Sequence, residues 1–199
     1  EKVLIVEGYM DVVALAQFDV DYAVASLGTS TTADQFQLLL RSAKEVICCY
    51  DGDKAGKAAA WRALETALPL LKPGNQVRFM FLPEGEDPDS LVRKIGKDAF
   101  EKMYDEASTL ESFLFSNLIL IHGTDEGALA KDAISYIEKV QDTILQDVLL
   151  KNLAYKLKKN NVLELKRDIF INTNTASNQA NNKALKGRGT PLRLAIALL

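Results

Sequence analysis

Cysteine, histidine and long apolar runs are all scarce in this 199-residue chain, and each shortage removes a class of function. The two cysteines, Cys48 and Cys49, are adjacent within an apolar run, so they cannot form a disulfide framework and lack metal-site spacing. A reducing, cytoplasmic setting is expected, with both thiols acting as small core residues rather than nucleophiles. The single histidine, His122, leaves almost no room for a Ser-His-Asp site or a histidine-rich metal centre, and it suits a helix end at the surface. No stretch approaches the roughly 18–20 apolar residues that would cross a bilayer, and no basic-then-apolar leader opens the chain. No membrane partner is expected.

Basic residues are also too few for a protein that coats nucleic acid: 24 Lys and Arg stand against 27 Asp and Glu, for a net charge of −3. From Ile171 to Leu199 there is no acid and there are four bases (Lys183, Lys186, Arg188, Arg193), which leaves −7 on residues 1–170. An acidic body favours metal cations over bare phosphates as ligands. The chain opens without Met in one apolar run and closes inside another, Leu192 to Leu199, and is expected to be a fragment of something longer.

What the sequence does contain is an alternation of strand-like and helix-like segments. Val3 to Val6 is an unbroken apolar run ending at Glu7-Gly8, which suits a strand buried on both faces. A helix is expected over Tyr9–Phe18, and a second strand over Tyr22–Leu27, closed by Gly28-Thr29-Ser30. Thr32 with Gln35 three residues on is a capping-box start for a helix to about Ser42. Val46 to Tyr50 is the third apolar run, ended by Asp51-Gly52-Asp53. From Lys54 to Leu71 apolar residues recur at helical spacing, Pro73-Gly74 stops that helix, and Val77, Phe79 and Phe81 alternate as in a half-exposed strand. Such alternation predicts a parallel α/β sheet with right-handed crossovers over about residues 1–100. Beyond it the pattern is helical only, with apolar stripes over Leu110–Ile121, Gly127–Val140 and Ile144–Lys159 that predict a small antiparallel bundle to about residue 171. Residues 172–190, with five Asn and no acid, are expected to be a flexible linker, and a new domain is expected to start at Pro191.

Parallel strands deliver the residues just past their ends into one crevice, so Glu7 and the pair Asp51/Asp53 are predicted neighbours. A third acidic group, Glu84-Gly85-Glu86-Asp87-Pro88-Asp89, follows the fourth strand to the same edge. Crowded carboxylates repel unless they are protonated or share a cation, and hard oxygen donors suit Mg²⁺ or Mn²⁺ in phosphoryl chemistry. Each piece also has a structural reading. Asp87 can be an N-cap with Pro88 at the first helical position, and Asp51-Gly52-Asp53 can be a turn before a helix. Glu7, directly after four apolar residues, is harder to explain structurally. Lys54 and Lys57 sit where a helix dipole disfavours cations, and meet either a nucleotide phosphate or else the neighbouring Asp51 and Asp53 or solvent. Ser26-Leu27-Gly28-Thr29-Ser30 offers backbone N–H groups and hydroxyls, Gly28 and Thr29 among them, to a phosphate or a nucleic-acid strand backbone. The run from Gly52 to Ala58 has the wrong spacing for a Walker A loop and lacks its Ser or Thr. An apolar run ending in Asp51-Gly52-Asp53 is also compatible with a phosphatase using Asp51 as nucleophile.

Val6-Glu7-Gly8-Tyr9-Met10-Asp11-Val12 followed by Tyr50-Asp51-Gly52-Asp53-Lys54-Ala55-Gly56 resembles the glutamate and DxD motifs of the TOPRIM domain shared by primases, topoisomerases and some nucleases. Ala25-Ser26-Leu27-Gly28-Thr29 between them, and Gly85-Glu86-Asp87-Pro88-Asp89 after them, narrow the resemblance to bacterial replicative DNA primases. The resemblance implies a TOPRIM domain with a Rossmann-like parallel sheet over residues 1–100, a helical bundle over 101–171, and, from 191 to 199, the start of a helicase-binding domain. It implies metal ligation by Glu7, Asp51, Asp53, Asp87 and Asp89, with Asp11 a supporting acid. In the family's proposed mechanism Glu7 acts on the proton of the attacking 3′-hydroxyl. The implied partners are single-stranded DNA template, ribonucleoside triphosphates and a replicative helicase, and the reaction is metal-dependent synthesis of short RNA primers. Zn²⁺ belongs to an N-terminal domain that this chain lacks, along with the basic first half of the polymerase core, and activity of the chain alone is not expected. The rivals are a TOPRIM nuclease using the same acids and a non-catalytic replisome docking module.

Overall fold

The computed structural model describes residues 2–26, 31–159 and 162–164. Its centre is a five-stranded sheet in the order β2-β1-β3-β4-β5, formed by β1 (Lys2–Val6), β2 (Ala23–Ala25), β3 (Glu45–Tyr50), β4 (Gln76–Phe81) and β5 (Ser108–Thr109). The first four strands are parallel, with β1 and β3 in register Val3 to Val46 and Leu4 to Ile47, while β5 runs antiparallel to β4. The crossovers are α1 (Tyr9–Gln17), α2 (Ala33–Ser42) and α3 (Lys54–Ala67). After β4 come α4 (Pro88–Glu106) and a bundle of α5 (Leu110–His122), α6 (Glu126–Ile137) and α7 (Thr143–Lys156). No helix among the described residues is long and apolar enough to cross a membrane.

Side chains alternate across a strand, so the buried residues divide into two cores. Ile5, Val46, Cys48, Val77 and Phe79 pack with α2, α3 and the bundle, whereas Leu4, Val6, Ile47, Cys49 and Met80 pack with Leu15 of α1 and with Leu91, Val92 and Phe100 of α4. Helices therefore cover both faces, as a parallel sheet requires. Phe113 of α5 joins the bundle to the sheet, with ring centroids 4.7 Å from Phe79 and 5.5 Å from Phe81. The bundle and the sheet share that core, and α4 runs across the boundary expected at residue 100.

Four expectations need correction. Of the strand expected over Tyr22–Leu27, the described residues form Ala23–Ala25, at the sheet edge, with Tyr22 and Ser26 outside it and Leu27 beyond the described residues. The helix expected to reach Leu71 ends at Ala67 and tightens into a 3₁₀ turn over Leu68–Leu70, where Pro69 removes a backbone donor. β4 is not half-exposed, because β5 flanks it and α4 covers Met80, which is buried. The region past residue 100 is not purely helical, since β5 adds a two-residue strand. His122 does sit at a helix end, but it is half-buried and paired with Asp132 of α6 at 2.9 Å. The segments expected to be linker and new domain, 172–190 and 191–199, lie outside the described residues.

Candidate metal and phosphate site

The three acidic groups all follow the carboxyl ends of parallel strands. Glu7 is the residue after β1 and is exposed. Gly8 caps α1, and its N–H donates to the Asp11 carboxylate at 3.2 Å, so Asp11 fixes the turn that carries Glu7. Asp51 follows β3 and is exposed, and Asp53 caps α3 by accepting the Gly56 N–H at 2.7 Å. Asp87 caps α4 by accepting the Ser90 N–H at 2.6 Å, with Pro88 at the first helical position. The structural reading of Asp87 as a cap is therefore satisfied by one of its carboxylate oxygens, and the turn read at Asp51-Gly52-Asp53 ends in a cap that the sequence reading did not name, made by one oxygen of Asp53.

Two glycines close the turn after β3. A Cβ on Gly52 would stand 2.3 Å from the carbonyl oxygen of Leu82, and one on Gly56 would stand 2.1 Å from that of Asp51. Both distances are far below van der Waals contact, so only glycine lets the Asp51–Asp53 turn lie against the chain leaving β4. Sequence reasoning saw these glycines as part of a motif without a role. Their spacing around two aspartates was the available signal.

The electrostatics support convergence of the acids. The Glu7 carboxyl titrates above the usual range, first because surrounding protein withdraws water, then because Asp51, Asp11 and Asp53 repel its charge. Asp51 is raised by partial burial and then by Asp53 and Asp87. Asp11 is raised by partial burial, opposed by its Gly8 hydrogen bond, and raised again by Asp87, Asp51 and Asp89. Glu7, Asp11 and Asp51 thus each feel the negative charge of acids carried by the neighbouring strand ends.

Not every acid in the last group contributes equally. Glu86 accepts from Ser90 and pairs with Lys94, which lowers its carboxyl from the usual range. Asp89 pairs with Arg93 one helical turn on. The Glu86–Lys94 pair was not anticipated, because the partners lie eight residues apart across a helix start. α4 itself bends at Gly96, whose φ of 75° and ψ of 170° separate the half carrying Asp89 from the half carrying Phe100 and Tyr104.

The fit to a cation follows from the donors. All are hard carboxylate oxygens, and their mutual repulsion is what a shared divalent ion relieves. Among the described residues, no three or more histidine, cysteine, aspartate or glutamate side chains gather closely enough to hold an ion by themselves. Carboxylate oxygens are the donors that hard divalent cations take. Lys54 and Lys57 lie exposed in the first turns of α3, beyond Asp53. Gly28 and Thr29 lie outside the described residues.

Comparison with known proteins places this site in context. A family model described as Toprim-like matches residues 4–92. A DNA primase of Haemophilus influenzae is 47% identical over 203 residues, covering 100% of this chain and 34% of the relative. A DNA primase of Escherichia coli strain K12 is 56% identical over 160 residues, covering 78% of this chain and 28% of the relative. A solved structure described as the DnaG primase catalytic domain bound to ssDNA matches with a TM-score of 0.72 and 54% identity, over 77% of this chain and 51% of that one. The chain spans about a third of the length of the curated relatives it matches.

Proposed function

Because the chain belongs to the bacterial DNA primase family, we propose that it is the metal-binding catalytic portion of an enzyme that makes short RNA primers on single-stranded DNA. The observation that carries this reading is the convergence of carboxylates from the ends of β1, β3 and β4 into one mutually repelling group. Phosphoryl transfer is mostly positioning and charge neutralisation, and such a group is suited to both.

In this reading Asp51, Asp53, Asp87 and Asp89, with Glu7, hold Mg²⁺ or Mn²⁺. When bound, the metal neutralises triphosphate charge. Glu7 accepts the proton of the attacking 3′-hydroxyl, for which a carboxyl raised above its usual range is better matched than an ordinary one. Asp11 keeps Glu7 in place through the Gly8 N–H. Lys54 and Lys57 meet nucleotide phosphate, and Gly28 and Thr29 add to that contact. Residues 1–100 form the catalytic TOPRIM unit, 101–171 brace it as a helical bundle, 172–190 link, and 191–199 begin a part that engages the replicative helicase. Ribonucleoside triphosphates and single-stranded DNA are the substrate and template, and the enzyme works in the cytoplasm. Zn²⁺ belongs to an N-terminal domain outside this sequence. The basic half of the core also lies outside it, so activity requires the longer protein.

The test is ribonucleotide incorporation on single-stranded DNA by the chain extended to the length of its relatives. Glu7→Gln and Asp51→Asn should each lower synthesis at least ~100-fold with unchanged circular dichroism. Unaltered synthesis in both overturns the assignment. Metal-dependent cutting of template without synthesis would make the protein a nuclease, and partner binding that survives loss of Asp51 and Asp53 without any chemistry would make it a docking module.

A further inference from the structure

α4 holds the end of α1 along one seam, and the first member of that seam touches a candidate metal ligand. Arg93, Lys97 and Glu101 follow one another at helical-turn spacing on α4, with the Gly96 bend inside the run. The Arg93 guanidinium lies 5.8 Å from the centre of the Phe18 ring, and the Lys97 ammonium donates to the Asp19 carbonyl oxygen at 2.8 Å. Glu101 accepts from the Tyr22 hydroxyl. Phe18 is half-buried against the core that contains Leu15, Leu91 and Val92. Both helices begin at the carboxylate group, α1 after Glu7 and α4 at the Asp87 cap, so the seam fixes how the two starts stand to each other. Of the seam residues it is Arg93 that also reaches an acid of that group, its Nε donating to Asp89 Oδ1.

An exposed ion pair one helical turn apart adds little to stability, and by charge alone a guanidinium beside a cation site weakens that site. What the geometry supplies is direction. The Phe18 ring limits where the planar guanidinium can lie, and the guanidinium takes Asp89 Oδ1 and leaves Oδ2 to another partner. We propose that Arg93 is a positioning residue that orients Asp89 for the metal: stacked over Phe18, it fixes one carboxylate oxygen and leaves the other to the ion. This rests on the reading above of Asp89 as a metal ligand, and adds the residue that orients it. Groups hydrogen-bonded to a ligating carboxylate set its orientation, and losing one costs roughly 10–100-fold in metal affinity. A lysine keeps the charge but has neither the flat surface that stacks on a ring nor the fixed Nε donor.

The experiment titrates Mn²⁺ into the 199-residue chain and follows the free ion by electron paramagnetic resonance, a readout that needs no catalysis. Asp89→Asn should weaken binding, which tests the reading beneath the proposal. Arg93→Gln should weaken it about 10-fold, and Arg93→Lys should not restore it. The double variant Asp89→Asn/Arg93→Gln should bind no worse than Asp89→Asn, because Arg93 acts through that carboxylate. Lys97→Gln cuts the same seam without touching an acid and should leave the affinity at the wild-type value. Unchanged or tighter Mn²⁺ binding by Arg93→Gln overturns the proposal, the tighter result making the guanidinium a competitor of the ion. An equal loss in Lys97→Gln also overturns it, by making the seam a structural brace, as does full rescue by lysine or a further loss in the double variant. If the wild type binds no Mn²⁺, or Asp89→Asn binds as the wild type does, the assignment of Asp89 fails and the proposal falls with it. Loss in Asp89→Asn without loss in Arg93→Gln leaves that assignment standing and removes the proposal alone.

Discussion

Gly56 lies so close to Asp51 that a Cβ on it would stand 2.1 Å from the Asp51 carbonyl oxygen. The glycine at the start of α3 and the aspartate at the end of β3 are one packed unit, and the acid's position depends on the missing side chain. Gly56→Ala must push the turn away from β3 or break the Gly56 N–H bond to Asp53. A loss of about 1–3 kcal/mol in urea denaturation is expected, together with loss of synthesis in the longer protein. Wild-type stability in that variant would show that the turn gives way freely.

Carboxyls raised above their unfolded values contribute stability at pH below the unfolded carboxylate range. That contribution is lost as pH rises through the raised folded values. Glu7, Asp11 and Asp51 are in this class, so near neutral pH their charges oppose folding. Asp51→Asn should therefore raise the melting temperature at about pH 7 by roughly 1–2 °C, a small gain because the group is exposed and screened. The gap should close in acid. Millimolar Mg²⁺ should stabilise the wild type more than the variant, and equal shifts in both would argue against Asp51 as a metal partner.

The bend at Gly96 occupies a backbone region open essentially to glycine alone, yet a Cβ there would meet nothing within 4 Å. The requirement is thus for dihedral angle and not for space. Gly96→Ala should cost about 1–3 kcal/mol in chemical denaturation. A D-alanine at the same position, which favours positive φ, should recover most of it. Equal losses from both would locate the problem in packing instead.

Phe113 touches Phe79, Phe81 and Trp61 and so ties the bundle to the sheet. Phe113→Ala should destabilise by about 3–5 kcal/mol. Unfolding followed by helix signal and by Trp61 fluorescence should remain coincident, because both report one core. Separate transitions would mean that sheet and bundle fold independently.

Much of this arrangement was legible from local rules. The apolar runs Val3–Val6 and Val46–Tyr50 became the central parallel strands, and Thr32 with Gln35 formed a capping box, Gln35 N–H to Thr32 Oγ1 at 3.3 Å. The convergence of Glu7 with Asp51 followed from strand direction alone. What escaped depends on neighbours distant in sequence. Met80 is buried because α4 covers it, which no alternation within β4 reveals. Ser108 and Thr109 form a strand because they meet Phe79 and Arg78, since two residues carry no period of their own. Glu86 is captured by Lys94, and Gly52 meets Leu82, for the same reason.

Cys48 and Cys49 are consecutive, yet they face opposite sides of β3 and lie in different cores. Burial pushes both thiols well above their usual range. An oxidant or alkylating agent reaches Cys48 only when the cover of α2, α3 and the bundle opens, and Cys49 only when α1 or α4 lifts. The sequence has thereby placed two chemical clocks back to back in a single strand, each timing the opening of one face without hearing the other.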